Sequence, residues 1–169
     1  ETSLEKTEIS KWNKIINNIY LPYCEDLDVF IQNDGFLNKD LQPVSSIPID
    51  QRPINQHWSW DKILRSPYIK QADVLQGFYF FEDDFSNDEL LKNFNYYEQY
   101  TVHESSLSAC IHCILASKAN DLNKAYDYFV RASRLDLDDY NKEIKQGLHI
   151  TSMGGTWMSI VEGFAGLKI

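Results

Sequence analysis

The stretch Gly147-Leu148-His149-Ile150-Thr151-Ser152-Met153-Gly154-Gly155-Thr156-Trp157 decides the fold. Its polar cluster, His149 to Ser152, opens a segment that then turns apolar almost all round, through Met153, Trp157, Met158, Ile160, Val161 and Phe164. A helix apolar on every side belongs inside a large core rather than on a surface. Its polar start offers unpaired backbone N–H groups, two hydroxyls and an imidazole, and Gly154 and Gly155 let a ligand approach the backbone. That combination holds an anion such as phosphate. A buried helix with an oxyanion at its mouth predicts a site at the end of an all-helical barrel.

Working outward, the rest of the chain also reads as helical. Thr2-Ser3-Leu4-Glu5 has the form of a capping box, followed by Ile9, Trp12, Ile15, Ile16 and Ile19 at helical spacing, with an end before Pro22. Residues 27–32 form a candidate strand, Asn33-Asp34-Gly35 a turn, and 36–53 a long loop of the kind that packs over an active site. Helical signal returns at 58–64 (short) and 68–81. Ser86-Asn87-Asp88-Glu89 is a second capping box, opening a helix to about Tyr97. Ser105 or Ser106 is placed to cap a helix through Ala119, and Asp121 one through about Arg134. The last helix starts near His149 and stops at Gly163, read as its C′ glycine. The six substantial helices, joined by connections that alternate between short and long, predict three antiparallel pairs.

Composition excludes several functions. With 16 basic and 25 acidic residues the net charge is −9, which disfavours nucleic acid and anionic membranes. No apolar run is long enough to span a bilayer, and the polar N-terminus does not read as a signal peptide. Three cysteines, an odd set, fit reduced thiols in a cytoplasmic protein. Cys110-Ile111-His112-Cys113 falls in the middle of an apolar helix with no second ligand pair, so it reads as buried thiols rather than a metal or redox centre. The carboxylates Asp136, Asp138 and Asp139 lack the glycine and distal glutamate of a calcium loop, and read as a turn bonded to nearby backbone. No metal site is expected. Ten Tyr, nine Phe and four Trp suit sugar stacking and a plain core equally well.

Three further motifs carry a resemblance. Together with 147–157, Lys70-Gln71-Ala72-Asp73-Val74, Tyr97-Glu98-Gln99-Tyr100-Thr101-Val102-His103-Glu104-Ser105-Ser106-Leu107-Ser108 and Leu135-Asp136-Leu137-Asp138-Asp139-Tyr140-Asn141 resemble the family-65 glycoside phosphorylases. The resemblance covers essentially the whole chain. Ile54-Asn55-Gln56-His57-Trp58-Ser59-Trp60-Asp61 through Arg65-Ser66-Pro67-Tyr68 is most similar to the maltose phosphorylases of that family. Departures such as Gln99, Ala109, Cys113, Gly154 and Ala165 remove no polar group that chemistry needs.

The resemblance implies a catalytic domain built as an (α/α)6 barrel, twelve helices in two rings. Residues 1–169 would be its C-terminal part: an all-α half-barrel of three helical hairpins, with a long irregular loop and at most a short strand pair. The residues agree, because half a barrel leaves the apolar flanks of 150–164 and 107–115 uncovered, as an assembly surface. The implied reaction is inverting phosphorolysis, maltose and phosphate giving β-glucose 1-phosphate and glucose. It needs no cofactor beyond phosphate as co-substrate. The implied partners are the disaccharide, phosphate and the remainder of the catalytic domain, and a homodimer is compatible with the resemblance.

By the same resemblance Lys70 and Gln71 meet the hydroxyls of the transferred glucosyl unit, and His103 and Glu104 line the mouth. Lys and Gln donors suit vicinal hydroxyls, against the plainer reading of a solvated helix start. For His103 and Glu104 the plainer reading is a helix-capping role. His149, Thr151, Ser152 and Gly154 are expected at the phosphate. Trp60 reads as a core anchor for the long loop, while His57 and Trp58 stay open. The family's general acid is a glutamate in a Gly-Pro-Asp-Glu segment that this sequence lacks, so it is expected upstream of Glu1, with no catalytic residue in this chain. Two other readings compete. A hydrolase on the same kind of barrel, related to glucoamylases, would need a second carboxylate where His149, Thr151 and Ser152 stand. A non-catalytic helical binding module would need no acid at all.

Overall fold

The computed structural model describes residues 5–168. Among the described residues are eight α-helices: α1 (Lys6–Ile16), α2 (Ile54–His57), α3 (Trp60–Arg65), α4 (Asp73–Phe80), α5 (Asn87–Glu98), α6 (Ala109–Lys118), α7 (Leu122–Ser133) and α8 (Ile150–Met158). Two short strands, β1 (Tyr23–Cys24) and β2 (Val29–Phe30), pair antiparallel with Tyr23 opposite Phe30. The 36–53 segment contains only three single 3₁₀ turns, as a long loop should. Part of the first predicted capping box, Thr2 to Leu4, lies outside the described residues; within them, Glu5 and Glu8 form the box that opens α1.

α6 is the centre. Every residue from Ala109 to Ala116 is buried, so its sequence shows no polar face. α7 folds back on it through Asn120, whose positive φ of 59° closes the turn, and Asp121 caps α7 by accepting from the Lys124 N–H at 3.1 Å. α4 and α5 form a second hairpin, α5 opened by the Ser86–Glu89 capping box, and both pack on α6. α8 lies across α6 and α7. Beneath α4 and α5, Phe36, Phe78, Phe94 and Tyr97 fill the largest part of the core. This layered arrangement of helical hairpins is part of an (α/α) barrel.

Three sequence expectations are corrected. α4 begins at Asp73, not near Tyr68, because Ile69 is bridged to Thr101 ahead of α6 and the chain bends through Lys70 and Gln71 before the helix. α6 begins at Ala109: Ser105 accepts from the Leu107 N–H and donates to Gln71, so it shapes a turn instead of a helix start. α8 runs on as a π-helix through Ser159–Phe164, and the left-handed glycine after it is Gly166 (φ +63°), not Gly163.

α8 also buries a different side from the one its apolar residues suggest. Ser152, Gly155 and Ser159 face α6 and α7, whereas Ile150, Met153, Trp157, Ile160 and Phe164 stay exposed. α1 buries none of its residues, and its Ile9, Trp12, Ile15 and Ile16 are exposed as well. The α8 flank is uncovered as half a barrel predicts, and α1 adds another, but the flank expected at 107–115 is not there: Leu107 is exposed while Ala109 to Leu115 are buried against α4, α5, α7 and α8. The tight approach of α8 to α6 depends on Gly155, where an added β-carbon would stand 2.6 Å from Cys110 Cβ. Gly155→Ala is therefore expected to lose about 1–3 kcal/mol to overpacking, more than the roughly 1 kcal/mol that alanine returns in helix propensity. Gly154→Ala, with open space at the same point, should be neutral or stabilising. Denaturant unfolding of the two variants checks this, and equal midpoints would mean that α8 does not dock through Gly155.

Candidate functional site

The site is organised by a backbone bridge that no sequence pattern announces. Ile69 N–H donates to the Tyr100 carbonyl at 2.9 Å, and Val102 N–H donates to the Ile69 carbonyl at 2.8 Å. The resulting parallel bridge, Ile69 to Thr101, runs both segments the same way. It carries Lys70-Gln71 and Glu104-Ser105 out of the core side by side, and Ser105 Oγ donates to Gln71 Oε1 at 2.8 Å. Lys70 and Glu104 face one cavity of about 180 Å³, with Asn55, Trp60 and Tyr68 on its walls. Two of the sequence candidates, Lys70 and Glu104, thus share a cavity, while Gln71, next to Lys70, is held by Ser105 outside its lining.

Glu104 is only 4% exposed, and both its oxygens accept from the Ile54 N–H at 2.9 Å, fixing the start of the single-turn α2. Burial pushes its carboxyl up, while the backbone N–H groups of Ile54 and Asn55 and the cations of Arg52 and Arg131 oppose the shift. Trp60 is not the core anchor expected of it: it is 73% exposed and stands at the cavity wall. The anchor is Trp58, whose Nε1 donates to Gln51 Oε1 at 2.7 Å and whose ring meets Tyr68 at 5.7 Å. Lys39 secures the other end of the loop by donating to the carbonyls of Leu64 and Ser66 at 3.0 and 2.9 Å.

His103 leaves this group. With φ at +55° its backbone turns the ring away, and its two nitrogens are shared with Ser108 Oγ at 2.8 Å and Tyr128 OH at 3.2 Å. Burial holds it well below the ordinary imidazole range, helped by His112 and the Arg131 guanidinium. It borders a different hollow, beside Glu98, Lys124 and Arg131, on the α7 side. It therefore lies outside the Lys70 cavity, and its partners Ser108 and Tyr128 hold it between the start of α6 and α7. Under it His112 is fully buried, which lowers it to about 4, and Cys110 and Cys113 are buried thiols pushed upward by burial.

The second cluster lies at the start of α8. His149 precedes the helix, Thr151 is exposed, and Gly154 meets nothing where a side chain would be. Ser152 departs from expectation, because its buried hydroxyl donates to the Ala132 carbonyl at 2.8 Å and so ties α8 to α7. Gly155 is likewise a packing residue rather than a ligand window. Asp136, read from the sequence as part of a turn bonded to nearby backbone, instead reaches thirteen residues on: it accepts from His149 N–H at 2.8 Å and contacts His149 Nδ1 at 2.5 Å. Its neighbours behave as a turn should: Asp138 pairs with Arg134, and Asp139 accepts from the Glu143 and Ile144 N–H groups.

Lys70 and His149 do not share a cavity, but a short polar chain joins their clusters. His149 Nε2 lies 3.6 Å from Glu143 Oε2, and Glu143 Oε1 accepts from Asn55 Nδ2 at 3.3 Å. Asn55 is on the wall of the Lys70 cavity. No periodicity signals Asn55 or Glu143; only the fold brings residues 88 apart in sequence together.

Comparison with known proteins gives this geometry a context. The family model described as the glycosyl hydrolase family 65 central catalytic domain matches residues 1–158. The maltose phosphorylase of Bacillus subtilis (strain 168) is 52% identical over 98% of this chain, and the α,α-trehalose phosphorylase of Thermoanaerobacter brockii is 45% identical over 99%. A solved structure described as a "Putative kojibiose phosphorylase from human microbiome" superposes with a TM-score of 0.87 at 42% identity over 98% of this chain. In each case the chain spans about 22% of the other protein's length.

Proposed function

This chain belongs to glycosyl hydrolase family 65, and on that premise we propose that it is the C-terminal part of the catalytic domain of a disaccharide phosphorylase. The finer reading is inverting phosphorolysis of maltose to β-glucose 1-phosphate and glucose. The observation that carries it is the convergence of Lys70 and Glu104 on one cavity, with Gln71 held beside them by Ser105. Lys70 and Gln71 would donate to the hydroxyls of the glucosyl unit, and Glu104 would keep the cavity wall in place through Ile54. His149, Thr151 and the open backbone at Gly154 would hold phosphate at the start of α8. Phosphate is itself the nucleophile, so no second carboxylate has to activate water.

The hydrolase alternative needs a free carboxylate on that side. The two nearest His149 are both engaged, Asp136 with His149 and Glu143 with Asn55, which favours phosphate as the attacking group. Among the described residues no helix is long and apolar enough to cross a membrane. The three free thiols suit a reducing compartment, and we place the enzyme in the cytoplasm.

The test is to assay the complete gene product with maltose, trehalose and kojibiose, each with and without phosphate. We expect β-glucose 1-phosphate from maltose, and none of it when phosphate is left out. Glucose released from maltose at the same rate without phosphate would establish the hydrolase instead.

A further inference from the structure

We infer that Asp136 is a positioning residue for phosphate, gripping His149 by its main chain and its ring together so that the Nε2 edge is presented to the ligand. The inference rests on the reading of the α8 start as the phosphate end of the site. The geometry is specific. One carboxylate makes two contacts to one residue: Oδ2 accepts from the backbone N–H at 2.8 Å, and Oδ1 lies 2.5 Å from Nδ1. The first contact fixes where the chain enters α8. The second fixes the ring's rotation, with Nδ1–H donating to the carboxylate, so that Nε2 accepts from a phosphate O–H, or donates to a phosphate oxygen when it too carries a proton.

Little solvent competes for these bonds, because the side chains are 22% and 14% exposed. The contacts from His149 hold the Asp136 carboxyl below the usual carboxylate range, so it stays ionised and able to accept both. Asp136 itself is fixed to α7 through the turn that follows Leu135, which is buried in the core. Nε2 is left with Glu143 as its nearest carboxylate, at 3.6 Å, beyond ordinary hydrogen-bond reach. Glu143 is held back by Asn55, so it borders the ligand position without occupying Nε2. An imidazole set in this way is pre-oriented, and misplacing such a contact by about an ångström costs up to about 10²-fold in rate or binding.

The experiment is a double-mutant cycle in the complete gene product: Asp136→Ala, His149→Ala and the pair, each measured for KM of phosphate and of maltose. Asp136→Ala is expected to raise the phosphate KM by about tenfold or more, with the maltose KM within about twofold. The pair should be no worse than His149→Ala alone, because Asp136 acts through His149. Additive losses, or equal rises in both KM values, would overturn the inference and leave Asp136 as a structural clamp. If instead His149→Ala leaves the phosphate KM unchanged, the phosphate reading itself fails and the inference goes with it. Should Asp136→Ala not fold, Asp136→Asn is measured in the same cycle; it keeps an acceptor for the backbone N–H and loses the charge at Nδ1.

Discussion

In the complete gene product, Lys70→Ala lowers kcat/KM for maltose phosphorolysis by about 10²-fold or more, a loss of roughly 2.7 kcal/mol in transition-state stabilisation. The ammonium stands at the wall of a cavity of about 180 Å³ that also holds Glu104 and Trp60. There it would donate to sugar hydroxyls whose alignment matters most as the glycosidic bond breaks. Lys70 is exposed and buries no core surface, so the substitution should leave stability nearly unchanged. Lys70→Met, which keeps most of the aliphatic stem, should be almost as slow, separating the charge from the packing. Steady-state kinetics with a thermal-unfolding control checks this. Near-wild-type activity would return Lys70 to the role of a surface lysine.

The second large effect is a loss of all measurable turnover: residues 1–169 alone form no glucose 1-phosphate from maltose and phosphate. Protonating the departing oxygen requires a placed general acid, a contribution of about 10²–10⁴-fold. Glu98, Glu104 and Glu162 are poor substitutes, because each is already committed. Glu98 is paired with Lys124 and accepts from Tyr128 OH, Glu104 is bonded to Ile54, and Glu162 accepts from Tyr79 OH at 2.8 Å. The exposed flanks of α1 and α8 would also leave any pocket open on one side, losing the positioning on which the reaction depends. Assaying the purified chain beside the complete gene product decides the matter. Substantial turnover by the chain alone would place the proton donor among these residues, and the roles assigned above would have to be redrawn.

Much of the fold was legible because its signals are local. The Ser86–Glu89 box and the Asp121 cap are each satisfied within three residues, so the sequence states them outright. The apolar run around Cys110–Cys113 likewise announced a helix with buried thiols, though not its place at the centre, which the apolar residues of α8 suggested for that helix instead. What was not legible depends on distant partners. Lys70 and Gln71 looked like a helix start until Ile69 paired with a segment some thirty residues away. Ser105 looked like a cap, and Ser152 like a ligand, until Gln71 and the Ala132 carbonyl took their hydroxyls. Polar residues near a site carry the same letters whether they bind a ligand or brace a loop, and only tertiary geometry separates the two. His103 and Trp60 exchanged expected places for that reason: the histidine is a brace, and the tryptophan faces open space.

The bridge between Ile69 and Thr101 has a consequence for how such a site diversifies. Its two hydrogen bonds join main-chain atoms, so side-chain replacement at either position, proline apart, leaves them intact. The frame that aims Lys70 and Glu104 is therefore set by main-chain bonds rather than by side-chain chemistry, although Ile69, Tyr100, Thr101 and Val102 are themselves buried and fixed by packing. The exposed wall residue Trp60 is free to drift without disturbing it. A lineage can then retune which sugar it accepts by exchanging wall residues one at a time, each intermediate still folding the same frame.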